Sequence, residues 1–130
     1  MKKVFFIVLL NTVLVTIGIS QNIEFTKDNF PNQPKQLKAA LKNIRLGDKV
    51  YSRKENVPVQ YRQALDYYNK AQALNENNVA LNLKIANCYY RISEPKLASN
   101  YGKKAYEVDS NSSYKLLFFK GYGLQLQTMF

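Results

Sequence analysis

The chain has 130 residues, 19 Lys and Arg against 9 Asp and Glu, a net charge of +10, one cysteine and no histidine. That composition argues against most enzyme chemistry: it offers no imidazole base, no metal-ligand cluster, no phosphate-binding glycine loop and no serine in a nucleophile-like context. Length allows one small domain with a modest core, and scarce Gly and Pro beside abundant Gln, Asn, Lys, Leu, Ala and Tyr favour helix.

In chain order, Lys2 and Lys3 precede an almost wholly apolar run from Val4 to Ile19. Gly18-Ile19-Ser20 sets small residues one and three positions before a cut after Ser20, so residues 1–20 read as a signal peptide. The alternative is an uncleaved anchor, but the run is shorter than the roughly 20 residues of a spanning helix and is interrupted by Asn11 and Thr12. Export to the periplasm or beyond is therefore expected, and export removes most of the case for nucleic acid that the basic charge would otherwise make.

Residues 21–33 contain Pro31 and many polar side chains, and are expected to form an irregular arm that Phe25 and Phe30 could pin to the helices. A first helix opens after Asn32 with Pro34 in its first turn, and Leu37, Leu41, Ile44 and Tyr51 recur near one stripe with Ala40 and Gly47 as small neighbours. Glu55 to Val59 reads as a turn with a helix-breaking proline. A second helix is predicted from about Gln60 to Leu74, packing through Ala64, Leu65, Tyr68 and Ala71.

A third helix is expected from Val79 to Ile92, with Cys88 as a buried structural thiol, and a fourth from Lys96 to Val108 behind Ser93-Glu94-Pro95. Tyr114 to Phe130 reads as one more helix, strongly apolar at its end. Such an end points to a fragment of a longer polypeptide, or to a complete chain that buries this helix in a homodimer.

Ala64, Tyr67 and Ala71 return as Ala98, Tyr101 and Ala105 at an offset of 34 residues. The segments Ala64 to Ala71 and Ala98 to Asp109 resemble the second helix of the tetratricopeptide (TPR) repeat. The resemblance implies an all-α helix-hairpin solenoid over residues 34–130: repeats at 34–76 and 77–111, and the first helix of a third at 112–130. The match has departures. Asn82 stands where an early aromatic is expected, Glu76 and Ser110 replace the closing proline, and Gly102 replaces the second aromatic. Gly47 and Ala64 lie further apart than the repeat allows, which implies about five inserted residues centred on Pro58.

TPR proteins bind other proteins, so the resemblance implies a non-enzymatic module without a cofactor, whose partner is a protein or peptide. Their concave face comes mainly from the first helix of each pair. In repeat two this face offers Lys84, Asn87 and Arg91 with Tyr90 beside them, partly similar to a carboxylate-binding clamp and suited to an acidic partner. Repeat one offers Asp48 where an amide would be wanted, and Lys120 and Tyr122 are the candidates of the third. Lys96, Lys103 and Lys104 read as an exposed face that serves solubility or attracts anionic partners. A signal peptide followed by a Lys- and Tyr-rich TPR region is also similar to the N-terminal part of OmpA-family outer-membrane proteins of Bacteroidetes. That similarity implies an envelope scaffold, or a structural tether whose grip on peptidoglycan lies in a domain absent from this sequence.

Overall fold

The computed structural model describes residues 21–109. The signal peptide expected at 1–20 and the helix expected at 112–130, with Lys120 and Tyr122, lie outside the described residues. Within them the protein is all-helical: α1 (Pro34–Tyr51), α2 (Pro58–Gln72), α3 (Val79–Arg91) and α4 (Pro95–Val108), with no strand among the described residues.

Three of the four helices open on a proline, at Pro34, Pro58 and Pro95. The first helical position needs no N–H, and the ring presets the helical φ there. Pro58 therefore starts α2 rather than breaking the chain before it, and the helix begins two residues ahead of the predicted Gln60. Only α3 has a side-chain cap: Asn78 Oδ1 accepts from the Leu81 N–H at 2.9 Å. Asn78 is thus the cap directly before the Val79 at which the third helix is expected to start.

The expected insertion is divided. The α1–α2 connection spans six residues, 52–57, against three, 92–94, between α3 and α4. In addition, Ala64 is preceded by six residues of α2, whereas Ala98 is preceded by three of α4. The longer connection is wound around one side chain. Gln60 is buried, its Nε2 donates to the Tyr51 and Arg53 carbonyls at 2.8 Å, and its Oε1 accepts from the Asn56 N–H at 2.9 Å. Asn56 holds φ at 52°, a left-handed conformation that Asn tolerates, and Tyr61 Oη donates to its side chain at 2.5 Å.

Helix α1 packs on α2, α2 on α3, and α3 on α4. The main core joins Ala40 and Val50 of α1, Tyr61, Ala64, Leu65, Tyr68 and Ala71 of α2, and Leu81, Ile85 and Cys88 of α3. Leu41, expected on the packing stripe, is 40% exposed, and Val50 takes the inward position instead. Gly47 is where α1 and α2 come closest: a Cβ there would stand 2.5 Å from the Tyr68 ring. A second, smaller cluster sits between α3 and α4, built from Val79, Leu83 and Ala105 with Val108 against it. Asn82, at the position where the resemblance called for an aromatic, is buried and bridges elements instead. Its Oδ1 accepts from Gln72 Nε2 at 2.8 Å and its Nδ2 donates to the Glu76 carbonyl at 2.9 Å.

Residues 21–33 form no helix or strand, yet they are tied down. The Ile23 N–H donates to the Asn77 carbonyl at 3.2 Å, and the Ile23 carbonyl accepts from Asn75 Nδ2 at 2.7 Å and Asn78 Nδ2 at 2.9 Å. Asn22 Oδ1 accepts from the Val79 N–H at 2.9 Å. Phe25 packs against the main core and stacks on Phe30 at 6.2 Å between ring centroids. The arm is therefore a strap over the α2–α3 turn, fastened by three asparagines that in sequence look like ordinary turn residues.

Candidate functional site

An open groove of about 360 Å³ is lined by Asp48, Tyr51 and Ser52 from α1 and its end, Tyr68 from α2, and Lys84 and Asn87 from α3. Its floor is set by the close approach at Gly47, because the small residue lets the Tyr68 ring lie against α1 and brings its hydroxyl to Asp48. Tyr68 Oη donates to Asp48 Oδ1 at 2.7 Å, and Lys84 Nζ donates to the same oxygen at 2.5 Å. The ammonium also lies 5.9 Å from the centre of the Tyr68 ring.

This arrangement fixes the protonation of the floor. Burial, and then the hydrogen bond to Asp48, hold the Tyr68 hydroxyl protonated far above the ordinary phenol range. Behind it, burial pushes the Cys88 thiol up to about 12, against a smaller opposing pull from Lys84. Cys88 is a free, buried thiol in the main core, as the helical pattern of α3 suggests. It is chemically quiet, because the thiolate is the reactive form.

Of the four residues that the sequence proposes for a concave face, Lys84 and Asn87 line the groove. Tyr90 and Arg91 do not. Tyr90 is 49% exposed, and Arg91 lies at the end of α3 with its guanidinium 5.8 Å from the centre of the Tyr61 ring. Asp48, Tyr51, Ser52 and Tyr68 complete the site. Asp48 was visible as the odd residue in repeat one; the hydroxyl of Tyr68 was not, because its spacing reads only as core.

The groove is balanced in charge and mixed in hydrogen-bonding character. The charge of Lys84 is matched by Asp48, and the bonds from Tyr68 and Lys84 both fall on Oδ1 of that carboxylate, so Oδ2 keeps acceptor capacity. Asn87 is half-buried and makes no side-chain hydrogen bond among the described residues, so its amide offers both a donor and an acceptor. Of the α4 lysines read as an exposed face, Lys96 and Lys103 are exposed and Lys104 is half-buried; Lys103 pairs with Glu107 at 3.7 Å and Lys104 with Glu76 at 3.5 Å.

No family model, no curated protein and no solved structure matches this chain. Among the described residues no group of three or more Cys, Asp or Glu could hold a metal, and no helix is long and apolar enough to cross a membrane.

Proposed function

We propose that this protein is an exported, TPR-like helical module that holds an extended peptide segment of a partner protein in the groove between α1, α2 and α3. One observation carries the reading: a preorganised Asp48–Tyr68–Lys84 floor with the unbonded amide of Asn87 beside it. A peptide backbone presents alternating N–H and C=O groups, and the groove offers an acceptor at Asp48, both functions at Asn87 and remaining donors on Lys84. Because Asp48 compensates Lys84, such a groove favours a neutral backbone over a free carboxylate. Two hairpins with small residues at their crossings, and the offset of 34 residues between their second helices, support the repeat reading. The basic-apolar-small pattern of residues 1–20 supports export, and an envelope scaffold is the role that follows.

Selection of a displayed library of unstructured peptides against the full chain tests this. Peptides are expected to be recovered whose binding falls about tenfold, roughly one hydrogen bond's worth, in Asn87→Ala, while that variant keeps the parental melting temperature. Recovery of no peptide, or only of peptides indifferent to Asn87, would overturn the reading.

A further inference from the structure

Lys35, Lys38, Lys42, Arg45 and Lys49 recur along α1 at alternating steps of three and four residues. At 100° per residue the five fall within an arc of about 80°, and at 1.5 Å per residue they form a row about 21 Å long. All five are exposed, and they lie opposite Leu37, Ala40, Gly47 and Val50, which face the core. No ion pair among the described residues involves any of them. Asp48, the one acid of α1, points toward the groove and is taken by Lys84.

This row works against the helix that carries it. Lysines repeated at i and i+4 repel one another, and no carboxylate stands on the face to relieve them. The first turn of α1 has no acidic residue and carries Lys35, where the helix macrodipole disfavours a cation. A pattern that weakens its own helix, with no ion pair among the described residues to compensate, points to a use outside the helix itself.

We infer that the outer face of α1 is a docking surface for a bilayer carrying anionic lipid headgroups. Four of the five cations are lysines, mobile point charges without the bidentate fork by which arginine selects a particular carboxylate or phosphate. The row runs along the outer side of a single helix, and none of its members lines the groove that could hold a peptide. It has no aromatic side chain on which a base of a single-stranded nucleic acid could stack. Leu41 beside the row is the apolar group able to enter the headgroup region, while the apolar side of α1 is committed to the core. Attachment is thus electrostatic and reversible, and it is separate from the groove, since none of the five lines it.

Co-sedimentation of the full chain with vesicles of equal parts phosphatidylglycerol and phosphatidylcholine, compared with phosphatidylcholine alone, tests the inference. Uptake through residues 2–19, where Lys2 and Lys3 themselves favour anionic lipid, is the same in every variant and cancels when the variants are compared. Preferential binding to the anionic vesicles that weakens with salt is expected. The double substitution Lys38→Gln, Lys42→Gln should lower it about 25-fold, from about fivefold per lysine at such a surface. The equal charge loss Lys70→Gln, Lys96→Gln should lower it less than about threefold, because those lysines lie off the row. Lys38→Arg, Lys42→Arg should restore binding, and all variants should keep the parental melting temperature. No preference for anionic vesicles, equal losses in the two glutamine variants, failure of the arginine pair, or binding to soluble polyglutamate without binding to vesicles would each overturn it.

Discussion

In the first hairpin α2 turns Gln60, Tyr61, Ala64, Leu65, Tyr68 and Ala71 inward, while in the second α4 buries only Gly102 and Ala105. Helix α3 serves both, with Leu81, Ile85 and Cys88 in the main core and Val79 and Leu83 in the smaller cluster against α4. The two hairpins therefore differ in what they bury: among the described residues α4 is held through α3 and through Tyr101, which packs against the main core and stacks on Tyr89 at 5.6 Å. Apolar area removed from water is the dominant favourable contribution to folding, so α4, whose fully buried residues among those described are two small ones, gains less from burial than α2. The groove belongs entirely to the better-held part.

The sharpest way to break this contrast is to truncate each cluster in turn. Ile85→Ala opens a cavity in the main core and should destabilise the whole domain by about 2–5 kcal/mol, seen as one cooperative shift of the thermal transition. Val108→Ala should cost only about 1 kcal/mol and raise amide hydrogen exchange in α4 alone. A comparable global loss from both would mean that the two clusters form one cooperative core.

Gly47→Ala probes the first hairpin where it is tightest. The added methyl meets Tyr68 Cε1 at 2.5 Å and Cδ1 at 2.7 Å, and the ring is buried and tied to Asp48. Helix propensity favours alanine by about 0.5–1 kcal/mol, which the overpacking penalty of about 1–3 kcal/mol outweighs. A net loss of stability is expected by chemical denaturation, with weaker peptide capture because the groove floor shifts; unchanged stability would show that α1 and α2 part easily.

Asn78→Ala should cost about 0.5–2 kcal/mol, because it removes the cap of α3 and one fastening of the arm together. Tryptic cleavage after Lys27, which is exposed, should accelerate in this variant more than cleavage after Lys70. Equal acceleration at both sites would mean that the arm is not held separately from the helices.

Much of the helical order was legible because it rests on local signals: the periodic apolar stripes, the small residues among them, and Pro34 and Pro95 at helix starts, whereas Pro58 reads as a breaker. What stayed hidden depends on partners remote in sequence. Leu41 and Val50 are both apolar and lie on opposite edges of the α1 stripe, and only the position of α2 decides which is covered. Gln60, Asn75 and Asn82 look like surface residues until their hydrogen bonds to distant backbone are seen. Lys84 and Asn87 stand three residues apart on α3 and both line the groove, whereas the Tyr68 hydroxyl joins it only through the packing of α2 on α1. The cation row of α1 is written plainly in the sequence; that no acid covers it could be known only from the fold.

The strap formed by Asn22 and Ile23 also sets an order of events. Ile23 is held by Asn78, 55 residues further along the chain. A chain that leaves the ribosome or crosses a membrane N-terminus first therefore presents the strap before its fastening, by roughly 3–11 seconds at a synthesis rate of about 5–20 residues per second. During that interval the start of the domain is an unattached thread, open to any factor that handles nascent chains. Once Asn78 emerges and the α2–α3 turn forms, the window closes, so this contact acts as a timer for the chain's own N-terminal segment.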